Sequence, residues 1–101
     1  MTYEIVATAS FAREYDAIIR YHVEELSAQL AAKRLMDDVE NACGILAGNP
    51  TINAVSRKAL LADLELREQL VRNYVIVYRI ESNKVYLEHM YHQKQDFERL
   101  V

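Results

Sequence analysis

The chain predicts a small α+β domain. The expected order is an N-terminal strand, an antiparallel helical hairpin packed on a small, mainly antiparallel β-sheet, and a short C-terminal helical turn. Three observations lead there. Apolar residues recur at helical spacing from Phe11 to Leu46 and stop at Gly48-Asn49-Pro50. Tyr74–Ile80 is almost continuously apolar and β-rich, with strand-like runs at Leu66–Val71 and Val85–His92 on either side. The chain has 101 residues, 51% of them hydrophobic, which is enough for one core without metal or disulfide staples. Residues 1–101 are therefore read as a single domain.

Tyr3–Thr8 alternates Tyr3, Ile5 and Ala7 with Glu4, Val6 and Thr8, the period of a strand. Thr8 or Ser10 then caps a helix, because a side-chain oxygen accepts one of the free N–H groups of the first turn. Phe11, Tyr15, Ile18, Ile19, His22 and Leu26 form its apolar stripe. Ser27 is the next cap candidate, and Ala28, Ala31, Leu35, Val39, Ala42 and Leu46 make a second stripe. So short a connection folds the two helices back as an antiparallel pair or fuses them into one bent helix near Leu26-Ser27. Gly48 is expected to stop the second helix by accepting a positive φ, with Pro50 unable to continue it.

Residues 51–63 read as a loop, with a turn of helix at Arg57–Ala62. Arg72-Asn73 is short enough for a tight turn between strands. Glu81–Lys84 reads as a four-residue hairpin loop, which would pair Ile80 with Val85, Tyr78 with Leu87 and Ile76 with His89. That face receives the helices, so the core should contain Phe11, Tyr15, Ile18, Leu35, Val39, Leu46, Ile76, Tyr78 and Leu87. Val77, Arg79, Tyr86, Glu88 and Met90 take the other face, where Arg79 and Glu88 can form an ion pair. A turn of helix over Gln95–Leu100 ends the chain.

Net charge is −3, which argues against nucleic-acid binding by the whole surface. The charge is uneven. Residues 1–49 hold four Lys/Arg against eight Asp/Glu, and residues 50–101 hold eight against seven. A face that meets phosphate would lie in the second half, although solvated charges also scatter unevenly without function. The single cysteine, Cys43, excludes an internal disulfide and a multi-cysteine zinc site. Met1-Thr2-Tyr3-Glu4 lacks a signal-peptide pattern, and no apolar run approaches a membrane span. The expectation is a cytoplasmic protein with no membrane partner.

Few residues invite chemistry. His89 and His92 lie on opposite faces of a strand, so they cannot converge on one ion, and His22 sits on a distant helix. No metal and no cofactor are expected. His92, at a strand end before Gln93-Lys94-Gln95-Asp96, is the best candidate for proton transfer, or else it caps the sheet edge. Arg67, Arg72 and Arg79 could clamp phosphate through their donor forks, or serve as solvated strand and turn cations. Tyr74, Tyr78, Tyr86 and Tyr91 could stack on bases or fill the core.

The pattern resembles the RelE/ParE superfamily of bacterial toxins over nearly the whole chain. The matching pieces are the strand reaching Thr8-Ala9, the helical hairpin ending Leu46-Ala47-Gly48-Asn49-Pro50, Leu66-Arg67-Glu68, Asn73–Arg79, and Val85…His92…Asp96-Phe97. The long hairpin and the His-x-x-x-Asp tail look closer to the ParE branch. The resemblance implies a growth-inhibiting toxin of a type II toxin–antitoxin, or plasmid stabilisation, system. A cognate antitoxin would neutralise it, and the excess of apolar residues on both strand faces, Val75, Val77 and Met90 included, predicts an apolar groove that an antitoxin helix and an added strand would fill. ParE-type members act on DNA gyrase. RelE-type members cut mRNA on the ribosome, where the RNA 2′-hydroxyl attacks its neighbouring phosphate with acid–base and cationic help. Here His92 would move the proton, and Arg67, Arg72 and Lys94 would neutralise phosphate. Val75 stands where many relatives carry an Arg, and Gln93 and Gln95 replace tail cations, which weighs against cleavage. A module that has kept antitoxin binding and lost toxicity is a further alternative.

Overall fold

The computed structural model describes residues 2–95. The expected turn over Gln95–Leu100 therefore falls, from Asp96 onward, outside the described residues.

Strand β1 (Glu4–Ala7) ends at Thr8, which starts helix α1 (Ala9–Arg20). Thr8 is extended, and its Oγ1 accepts the Phe11 N–H at 3.2 Å. The same hydroxyl donates to the Leu87 carbonyl at 2.8 Å. One side chain thus sets both where the helix begins and where it sits on the sheet. The helix continues into a π-helical turn, Tyr21–Glu25.

Ser27 does not cap the next helix. It stands at φ 49, and the N-cap of α2 (Gln29–Gly48) is Ala28, with no side-chain hydrogen bond. The π turn leaves the chain needing a left-handed residue to reverse direction, so Ser27 is spent on the reversal. The reversal keeps the two helices distinct. It also leaves Leu26 exposed, and Ala32 takes the buried place expected of Ala31. At the far end, Gly48 is still helical and no glycine has a positive φ. The stop is made by Asn49 at φ −152, a conformation the following Pro50 favours.

A 3₁₀ turn (Pro50–Ile52) and a short helix α3 (Ala59–Asp63) lead to β2 (Arg67–Val71), β3 (Tyr74–Glu81) and β4 (Lys84–His92). The sheet order is β1-β4-β3-β2, parallel between β1 and β4 and antiparallel elsewhere. Arg72-Asn73 is the tight turn expected, with Arg72 at φ 55. The β3–β4 loop is shorter than expected. Ser82-Asn83 alone turns the chain, Ser82 takes φ 57, and Glu81 pairs with Lys84.

Ile80 pairs with Val85 and Tyr78 with Leu87, but Ile76 pairs with Met90 rather than His89. The register shifts between Val77 and Tyr78, opposite the unpaired Glu88. The bulge falls where β1 ends and β4 loses its parallel neighbour. There Thr8 bonds the carbonyls of Leu87 and Glu88, and a Glu14 carboxylate oxygen accepts the Met90 N–H at 3.2 Å. The extra residue turns Met90 inward, only 2% exposed, and sets His89 opposite Val77.

The main core joins the helices to one sheet face. It holds Phe11, Leu35, Val39, Leu46, Ile76, Tyr78 and Leu87 as expected, with Tyr15 and Ile18 half-buried at its margin. A second cluster, Leu61, Leu66, Val75, Val77 and Tyr91, covers part of the other face beneath α3. A stretch covered on both sides has no polar face, which explains the apolar run Tyr74–Tyr78 at the start of β3.

Candidate functional site at the His92 end of the sheet

β3 begins and β4 ends at the same edge of the molecule, because Tyr74 pairs with His92. The His92 ring meets Tyr74 edge-on with centroids 5.3 Å apart, and His22 from the helical hairpin meets the same tyrosine at 6.1 Å. Burial, and then the neighbouring Tyr21, push the Tyr74 phenol above its ordinary pKa. The backbone N–H of Lys94 donates to His92 Nδ1 at 3.1 Å, and the His92 N–H donates to Gln95 Oε1 at 2.9 Å. His92 therefore organises the turn after β4. This is the capping role open to it from the sequence.

Of the four residues that resemblance assigned to cleavage, His92, Arg72 and Lys94 lie toward one end of the sheet and Arg67 does not. Arg72 lies in the turn at the His92 end, where its guanidinium pairs with Asp38 of α2. Lys94 is exposed nearby in sequence. Arg67 lies at the other end of β2, opposite Tyr78, and donates to the Asn53 carbonyl. Five residues of extended chain put Arg67 and Arg72 roughly 16 Å apart. Arg79 is also engaged. It pairs with Glu88 at 3.1 Å and Glu81 at 2.6 Å, and lies 4.1 Å above the Tyr86 ring. The expected Arg79–Glu88 pair is present, and it contributes about 0–1 kcal/mol at such a partly exposed position.

A polar cluster that the sequence does not announce lies at the edge of the second core. Glu68 of β2 accepts from Lys58 at 2.9 Å, from the Tyr91 hydroxyl at 2.9 Å and from Ser56 at 3.0 Å. Desolvation pushes the Glu68 carboxyl up, but the hydrogen bonds from Lys58, Tyr91 and Ser56 outweigh it and hold its pKa below the ordinary value. Burial holds Tyr91 above its own. The cluster ties the segment before α3 to the sheet, with the Glu68 carboxylate occupied by three donors. Its members are far apart in sequence, and only Tyr91 carried a signal, as one of the strand tyrosines.

Apolar residues on both strand faces were the reason to expect a groove, but Val75, Val77 and Met90 are consumed by the chain's own packing. The exposed large apolar residues lie elsewhere. Leu70 lies on β2 with Ile52, Val55 and Leu64 in the segments before it, Tyr21, Val23, Leu26 and Leu30 lie at the tip of the helical hairpin, and Met36 and Ile45 lie along α2. Among the described residues, no group of three or more His, Cys, Asp or Glu could hold a metal ion. No helix among them is long and apolar enough to cross a membrane.

A sequence model of the ParE toxin of type II toxin–antitoxin systems, parDE, matches residues 5–97. The chain belongs to the ParE toxin family. No curated protein matches it. Among solved structures it is similar to a chain of the chromosomal ParDE toxin–antitoxin system from P. aeruginosa, at 15% identity and a TM-score of 0.70. The match covers 90% of this chain and 96% of that one, so the two share the fold over nearly their whole length. The family model thus points to the ParE branch that the sequence resembles. Its strand, hairpin and sheet here carry His92 as a turn-organising side chain beside Tyr74.

Proposed function

We propose that this ParE-family toxin inhibits growth by binding DNA gyrase rather than by cutting nucleic acid, and that a cognate antitoxin neutralises it. The observation that carries this reading is the dispersal of its cations. Phosphoryl transfer depends on positive charge preorganised around the reacting phosphate. Arg67 and Arg72 are at opposite ends of β2, and Arg72 and Arg79 are neutralised by acids. Tyr91 and Lys58, which could serve as base and clamp, are both hydrogen-bonded to Glu68.

The antitoxin is read onto the outer edge of β2. That strand ends the sheet, and its only bridge on that side among the described residues is Val55 with Arg67. An open edge flanked by Leu70, Ile52, Val55 and Leu64 suits an added strand that brings apolar side chains. Co-expression with the adjacent small gene should give a tight complex, lost when Leu70 is replaced by Asp. A monodisperse monomer in the presence of that partner would overturn the antitoxin reading.

A second reading, a RelE-like ribosome-dependent mRNA endoribonuclease, draws on His92 and Lys94 lying two residues apart at the end of the sheet where Arg72 turns the chain. Induced expression with parallel assays of gyrase-dependent supercoiling and of transcript ends separates the two. Inhibited supercoiling with intact transcripts is the expected result, and discrete ribosome-dependent cuts would favour the nuclease.

A further inference from the structure

The tip of the helical hairpin departs from regular geometry at each joint. α1 passes into the π turn, where the Leu26 N–H donates to the Tyr21 carbonyl at 3.2 Å. Ser27 holds a left-handed φ of 49, and neither the π turn nor α2 has a side-chain cap. Such strain costs on the order of 1–3 kcal/mol and concentrates, with π turns, at functional sites. His22 joins the tip to the sheet through its ring contact with Tyr74, while its Nδ1 contacts the Ile18 carbonyl of α1 at 2.9 Å.

The pinned segment presents apolar side chains outward. Tyr21 is 52% exposed, Leu26 51% and Leu30 62%, with Val23 beside them. None of these is needed for the core. The frame around them is negative. Glu24 and Glu25 are exposed, and no Lys or Arg falls between Arg20 and Lys33. Those two bounding cations are already paired, Arg20 with Asp16 and Lys33 with Asp37, each one turn away on its own helix.

We propose that this tip is a docking surface for a basic amphipathic helix of a partner protein. The partner's apolar face covers Tyr21, Leu26 and Leu30, and its Lys or Arg side chains meet Glu24 and Glu25. Charge complementarity selects this occupant. Nucleic acid and anionic lipid are repelled by the glutamates, and a second copy of the chain would set two negative tips against each other. The surface is formed by different elements from the β2 edge and does not depend on the gyrase or antitoxin readings.

The test is titration calorimetry of the full chain with two synthetic helical peptides that share one Leu face and carry either Lys or Glu on the other. The Lys peptide should bind and the Glu peptide should not. Replacing Leu26 and Leu30 by Ser, or Glu24 and Glu25 by Lys, should each weaken the Lys peptide by about tenfold or more, as expected for loss of interface anchors. Reversing Asp63 and Glu65, exposed at the end of α3 and just after it, should change binding by less than about twofold. All these positions are exposed, and circular dichroism checks that each variant stays folded. Equal loss on reversal of Asp63 and Glu65 would reduce the attraction to that of any acidic chain and overturn the proposal. Failure of the wild-type chain to bind the Lys peptide would overturn it as well.

Discussion

Replacing Tyr78 by Phe removes one oxygen from the centre of the molecule. Tyr78 is fully buried, and its hydroxyl donates to the Pro50 carbonyl at 2.7 Å and accepts from Asn53 Nδ2 at 3.2 Å. The ring keeps its place in the core, so the packing loss is small. What changes is the pair of groups left behind. Pro50 is itself buried, so its carbonyl loses its bond with no ready access to water. Asn53 is half-buried and keeps Gln69 as a partner at 2.8 Å. One unsatisfied buried acceptor costs about 1–3 kcal/mol, and the Asn53 bond adds little. Urea unfolding should therefore give a loss of about 1–3 kcal/mol with an unchanged m-value. Because the hydroxyl anchors the segment that leaves α2, amide exchange should rise first in residues 50–56. An unchanged midpoint would refute the reasoning, since it would mean that the phenol does not hold that segment.

Leu46→Ala empties a fully buried site in the main core and should cost about 2–5 kcal/mol by chemical denaturation. Glu65→Gly should stabilise the chain by up to about 1 kcal/mol. Glu65 takes φ 55 after α3, where its N–H bonds the Ala62 carbonyl and the Leu66 N–H bonds the Leu61 carbonyl, a helix end at which glycine avoids the Cβ penalty. Stability should also fall at both ends of the pH scale. The Glu68 carboxyl is held below its ordinary value, so its contribution is present above about pH 4.5 and lost as acid protonates it. Tyr15, Tyr74, Tyr78 and Tyr91 are held above theirs, chiefly by burial, so their contribution is present below about pH 10 and lost as pH rises further. A thermal-melt series that rose between pH 9 and 11 would contradict those assignments.

The elements were legible where pattern and packing agree. The apolar run of β3 announced a strand, and Thr8, one of two cap candidates, marks the start of α1. The register was legible only as far as Leu87. The bulge at Glu88 answers to the end of β1 and to the Thr8 and Glu14 side chains, contacts made across most of the chain that no local spacing encodes. The hairpin reversal was misread for a related reason. Serine before a helix suggests a cap, and nothing local reveals that a π turn will demand a left-handed residue there. At the site, the strand-end position of His92 followed from sequence. The pairing of Arg72 with Asp38 and the joining of Lys58, Glu68 and Tyr91 did not, because each spans elements that only the folded sheet brings together.

The central claim is that toxicity comes from binding and not from cleavage, and His92→Ala tests it most directly. The variant should fold, since His92 contributes a turn and a ring contact at the sheet margin. Growth arrest on induction should persist at close to the wild-type level, because a binding surface spreads its energy over many contacts. Transcript ends mapped in the same cells should match those of uninduced controls. Removing a general acid or base would instead slow cleavage by about 10²–10⁴-fold. Ribosome-dependent cuts in cells making the wild-type chain, absent together with the growth arrest in cells making His92→Ala, would contradict the account.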